Sequence, residues 1–240
     1  MAKNQGASRM VFENAKSLAQ QLGYDLRQSV CTQSYIRSEV AMSTSTASYH
    51  LPILVNDTQN GSTRVNENRL NLQDVFFCSE ILIGWTVATA TAVNGKVYTY
   101  PSITGAGATA TATALQTLYN GKMSIQVNNQ NILPSWDLNR HFFAPRTQEN
   151  TNFNAATATS PAQYTIDQVD LSEDAFVAVE PSWVLNGASN INATIQLPGA
   201  ISAIPTNGAI VAIFRGILLQ NVIFCKIVRF RIVVGFYRCT

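Results

Sequence analysis

Charge is scarce in this chain. Of its 240 residues, 16 are Lys or Arg and 14 are Asp or Glu, so the charged share of 12% is about half the usual quarter. Polarity comes instead from Asn, Gln, Ser and Thr. Soluble helical proteins usually solvate their faces with Lys and Glu, whereas Thr favours strands and Asn with Gly supplies turns, so the scarcity points to a β-protein. A surface poor in charge also repels its own copies weakly. Both properties suit a protein that packs against many neighbours.

Other absences narrow the chemistry. There are two histidines, His50 and His141, and four cysteines, Cys31, Cys78, Cys225 and Cys239. No CxxC spacing occurs and neither histidine lies near a cysteine in sequence, which argues against a zinc site. The start "MAKNQGASRM" lacks the apolar core of a signal peptide, so the expectation is synthesis in a reducing cytoplasm with free thiols. No G-x-S-x-G elbow is present. His141 in "WDLNRHFF", near Asp137 and Arg140, is the better candidate base, and a structural histidine beside a loop is the simpler account.

Asp170, Glu173 and Asp174 in "DLSEDAF" lack calcium-loop spacing and read as a solvated acidic turn rather than a glycosidase pair. "GAGATA" at 105–110 is read as a loop with no helix after it. "NGKMS" at 120–124 lacks the upstream glycine and the hydroxyl residue after Lys122 that a phosphate loop requires. No catalytic residue, metal or cofactor is expected. The most apolar stretch, "AIVAIFRGILLQNVIFCKIVRFRIVVGFY", is broken by Arg215, Lys226, Arg229 and Arg231 into pieces too short for a membrane-spanning helix. Two adjacent buried strands explain it more simply than a secreted barrel.

What is present is periodic. In "MVFENAKSLAQQL", Met10 to Leu22, Val11, Ala15, Leu18 and Leu22 form one stripe, which predicts an amphipathic helix of about three turns that needs a docking surface. It is the only helix the pattern predicts. Thereafter the period is two. Strands are expected at Ser34–Met42, Ser48–Val55, Val75–Ala88, Lys96–Tyr100, Lys122–Val127, Ala175–Val184, Asn192–Leu197, Ala209–Leu219 and Lys226–Tyr237. Between them stand "NDTQNGS", "VNG", "YNG", "NNQN", "LNG" and "TNG", the strongest short-range hairpin signals. Long loops are expected at 102–114 and 146–163. The result is an all-β antiparallel sandwich, jelly roll or barrel. Its single domain spans 31–240, after an N-terminal arm at 1–30.

The charge is unevenly placed. It sums to +2 over residues 1–40, −5 over 41–208 and +5 over 209–240. In the last strand Val228, Phe230, Ile232, Val234 and Phe236 share one face while Arg229 and Arg231 share the other. Two readings follow. The arginines solvate an edge or pair with a neighbouring subunit, or they join Lys226, Arg238, Lys3, Arg9 and Lys16 in one electropositive surface facing nucleic acid or anionic lipid.

With "YNGKMSIQVNNQNILPSWDLNRHFFAPRTQ", "WVLNGASNINATIQLP" and "AIVAIFRGILLQN" added to this pattern, the chain resembles the jelly-roll capsid proteins of icosahedral viruses, in particular tailless bacteriophages. The resemblance lies in texture over about residues 40–240. It implies two packed four-stranded sheets, outward loops and a terminal arm beneath the shell. It further implies a non-catalytic virion protein, the major shell subunit, made in the host cytoplasm and assembling with itself through trimers or pentamers. Other virion proteins, and viral nucleic acid or an internal membrane at the basic termini, are the further partners implied. The arm departs from the pattern in its modest charge. The 210 residues after the arm suit one roll of eight to ten strands, with a compact double roll as the alternative. Two other classes stay open: a glycan-binding sandwich using Trp85, Trp136, Trp183, Tyr98 and Tyr100 as stacking platforms, and a hydrolase built on His141 and Asp137.

Overall fold

The computed structural model describes residues 3–26, 29–53, 70, 72–87, 95–143, 148–154, 163–167, 175–220 and 223–224. Helix α1 spans Lys3–Gln21 and leads into the two-residue strand β1, Tyr24–Asp25. Then come β2 (Val30–Ala41), β3 (Ser48–Pro52), β4 (Val75–Val87) and β5 (Val97–Tyr98). Helices α2 (Ile103–Ala106) and α3 (Thr109–Tyr119) precede β6 (Lys122–Val127) and β7 (Gln130–Asp137). After a 3-10 turn at Leu138–His141 follow β8 (Gln148–Asn154), β9 (Gln163–Asp167), β10 (Val177–Asn186), β11 (Ile191–Gln196), β12 (Gly208–Gln220) and β13 (Ile223–Phe224).

Two antiparallel sheets form the body. One has the order β10-β4-β12-β2, with β5 also on β4, and the other has the order β3-β11-β6-β7. Numbered one to eight along the chain, these eight strands pair first with eighth, second with seventh, third with sixth and fourth with fifth. That is the pairing of one long antiparallel hairpin wound into two layers. The innermost turn, between β6 and β7, has left-handed backbone at Asn128 and Asn129 (φ 50° and 64°), the conformation a tight two-residue hairpin requires and asparagine tolerates.

The main core lies between the sheets. Phe76, Ile81, Ile83 and Trp85 of β4 and Ile210, Ala212 and Phe214 of β12 meet Met123 and Ile125 of β6 and Ala193 and Ile195 of β11. The alternate residues of β4 and β12 are buried as well, which is why both strands read as nearly continuous apolar runs. Val75, Phe77, Ile217 and Leu219 form a second core with Ala15, Ala19 and Tyr24 from α1 and β1. At the other end of the same face, Thr86 Oγ1 donates to the Lys96 carbonyl at 2.8 Å and Arg37 Nη2 donates to the Gly95 carbonyl at 2.9 Å. Gly84 permits this crossing, because a Cβ there would collide with the Tyr98 carbonyl.

Several expectations are corrected. The stretch at 102–114 is not a loop: α2 and α3 occupy most of it, and α3 begins at Thr109, within "GAGATA" itself. Alternating Thr and Ala concealed a helix whose Ala112, Leu115, Leu118 and Tyr119 are buried on one side, so tertiary burial overrides the strand preference of Thr. The stretch at 146–163 contains β8, paired with β9. Strand β7 had no place in the predicted set because its residues are mostly exposed and interrupted by Pro134. Helix α1 begins seven residues before Met10. The predicted strand Lys226–Tyr237 and the acidic turn at Asp170, Glu173 and Asp174 lie outside the described residues.

Candidate functional site

The corner formed by α1, β1 and β13 carries the candidate arm-docking residues. Val11 and Leu18 are partly buried and pack, with fully buried Ala19 and nearly buried Ala15, on the outer face of β4 and β12. Leu22 lies beyond the helix in the following turn and is 44% exposed. Lys16 is exposed. It lies close enough to Cys31 of β2 that its charge partly offsets the rise that burial imposes on that thiol's pKa. Lys3 and Arg9 belong to α1. Lys226, Arg229, Arg231 and Arg238 fall outside the described residues. Strand β13 nevertheless pairs with β1, with Phe224 opposite Tyr24 and Ile223 opposite Asp25.

A second cluster gathers around Trp136. Its indole Nε1 donates to Nε2 of His141 at 2.8 Å, Arg140 lies over its ring at 5.0 Å, and Trp183 meets it edge-on at 6.1 Å. His141 is fully buried. Burial above all, then the charge of Arg140, pushes its pKa down to about 4 against an opposing pull from Asp137. Asp137 does not orient the imidazole; its carboxylate accepts from the Asn139 backbone N–H at 2.9 Å and caps the 3-10 turn. The ring is buried and its Nε2 is taken up by the indole, whereas a general base needs reach to a substrate proton. Of the aromatic platforms, Trp85 is fully buried and stacks on Tyr98 at 4.6 Å, while Trp136 and Trp183 are partly buried. Its indole donates to the Tyr100 carbonyl at 2.9 Å.

The outer face of the second sheet is polar and flat. Register aligns Ser48, Gln196, Lys122 and Asp137 in one row, and His50, Thr194 and Ser124 in the next. Thr194 Oγ1 and His50 Nδ1 are 3.2 Å apart. An open cleft at the end of the first row is lined by Asn120, Gly121, Lys122, Ser135, Asp137, Gln196, Leu197 and Pro198. Among the described residues no group of three or more His, Cys, Asp or Glu could hold a metal, and no helix is long and apolar enough to cross a membrane.

The four sheet edges differ. Edge strands β3, β10 and β7 each contain a proline, Pro52, Pro181 and Pro134, and the last two carry register shifts. Proline and bulges blunt an edge against adding another strand. Strand β2, twelve residues long, contains neither Pro nor Gly nor Lys and runs in unbroken register with β12. The residues of this edge were not singled out in the sequence; the one signal was a strand free of breakers. No protein-family model matches the chain, and no curated protein matches its sequence.

Proposed function

We propose that this protein is a non-catalytic structural subunit of an icosahedral virion, the main shell protein, built on a single jelly roll. The observation that carries the reading is the strand order: first-eighth-third-sixth in one sheet and second-seventh-fourth-fifth in the other. A jelly roll has this order, and the eight long strands of the two sheets suffice for one roll. The charge-poor, amide-rich and hydroxyl-rich surface supports repeated contacts between identical copies. So does the segregation of the two outer faces, one apolar and covered by α1, the other polar and open.

In this reading the building block is a trimer or pentamer. The α1 corner faces the particle interior, toward the genome or an internal membrane. The test is electron microscopy of the purified protein at low and high ionic strength. Closed shells or regular rings are expected, and persistent monomers at high concentration would remove the reading.

A further inference from the structure

We propose that the open cleft at the end of the second sheet, where α3, β7 and β11 converge on Lys122, binds a neutral, hydroxyl-rich saccharide. The proposal stands apart from the shell reading, because it rests on the lining of the cleft alone.

The cleft is built on hydrogen-bonded backbone. At its base lies buried Gly121, whose N–H donates to the Leu118 carbonyl at 3.2 Å and whose carbonyl accepts from the Leu138 N–H at 3.1 Å. On the β11 side the Leu197 N–H donates to the Ala47 carbonyl at 2.7 Å. On the β7 side Asp137 caps the 3-10 turn through the Asn139 N–H. Side chains carried on strand ends and caps fixed in this way keep their places without a ligand. The cleft has a volume of about 360 Å³, within the roughly 300–1,000 Å³ that small-molecule sites span.

The lining selects the class of ligand. Asn120, Lys122, Ser135, Asp137 and Gln196 are all exposed there. Among the described residues, the side chains of Asn120, Lys122, Ser135 and Gln196 make no hydrogen bond or ion pair with the rest of the protein. Lys122 and Asp137 are register partners, so the cation and the carboxylate of the lining offset each other. Helix α3 ends at this cleft with Asn120 as its cap, and its last carbonyls add partial negative charge. An anion gains little in such a place. Two amides, a hydroxyl, an ammonium and a carboxylate instead set donors beside acceptors, the complement of a ring bearing adjacent hydroxyls. Exposed Pro198 offers an apolar wall to the C–H face of that ring. Trp136, between Ser135 and Asp137, packs against the main core and takes no part.

The test is saturation-transfer NMR on the full-length protein, with the methyl glycosides of glucose, galactose, mannose and N-acetylglucosamine as probes. At least one of them is expected to bind, with a Kd of about 1 mM. Gln196→Leu should weaken that binding about fivefold or more, and Ser135→Trp, which fills the cleft, should abolish it. Both positions are exposed, so the fold should survive, and an unchanged circular dichroism spectrum checks that it does. Thr194→Val, one row away on the same sheet, should bind as the unaltered protein does. Transfer to none of the four glycosides overturns the proposal, and so does transfer that survives both cleft substitutions. Displacement of the glycoside by inorganic phosphate at equal concentration would mark an anion site and overturn it as well. Closed particles that bind none of the glycosides would refute the cleft and leave the shell reading standing. A glycoside-binding protein that never leaves the monomer would do the reverse.

Discussion

Trp136 donates its indole N–H to Nε2 of His141 across 2.8 Å, which fixes the imidazole as neutral with its remaining proton on Nδ1. Protonating Nε2 would set two donors face to face in a buried site. The folded chain resists this, holding the pKa at about 4, against 6.5 for a solvent-exposed imidazole. The unfolded state therefore binds more protons between those values. Stability is full above about pH 6.5 and falls as pH drops toward 4, by about 3 kcal/mol at the lower end. Denaturation midpoints measured across this window should show the slope, and His141→Gln should flatten it.

The two neighbouring phenylalanines of β4 point to opposite faces, Phe76 into the main core and Phe77 against the layer that holds α1. Phe77→Ala is expected to destabilise by about 3 kcal/mol or more. It should also raise hydrogen exchange in α1 well before β6 and β11 are affected. Equal loosening of both regions would mean that α1 and the sandwich form one cooperative unit.

Gly216 sits at the register shift between β12 and β4, where an added Cβ would run into the Phe77 carbonyl. Backbone cannot yield as a flexible side chain can. Gly216→Ala should therefore cost more than about 2 kcal/mol, measured by urea denaturation, whereas Gly199→Ala, where a Cβ meets nothing within 4 Å, should be close to neutral.

Arg37 is nearly buried, donates from Nε to Glu39 at 2.8 Å and from Nη2 to the Gly95 carbonyl at 2.9 Å. Arg37→Met would remove a charged partner from the largely desolvated Glu39 carboxylate and release the crossing segment. A loss of about 3 kcal/mol is expected. Arg37→Met combined with Glu39→Gln should recover part of it in a double-mutant cycle.

Legibility in the sequence followed burial. Strand β6 was plain because Met123 and Ile125 face the core while Lys122, Ser124 and Gln126 do not. Strands β4 and β12 were found by their apolar length, although their second buried face could not be inferred before α1 and the Gly95 crossing were placed on it. Helix α3 was hidden because Ala and Thr alternate with period two while only its later residues, Leu115, Leu118 and Tyr119, mark a helical stripe. At the Trp136 cluster the residue types were visible, but their roles depend on a 3-10 turn that carries His141 back beneath the indole.

The pairing of the first long strand with the last has a consequence for synthesis. Strand β2 finds its partner β12 only after about 170 further residues have been made, and the surface that receives α1 includes Ile217 and Leu219 of that same late strand. During translation the N-terminal helix therefore has nowhere to dock, and the interior half of the sandwich has no complete wall. The outer faces of the sandwich take their finished form only after this late strand has left the ribosome. Completion of the fold is in this way set by the order of the strands.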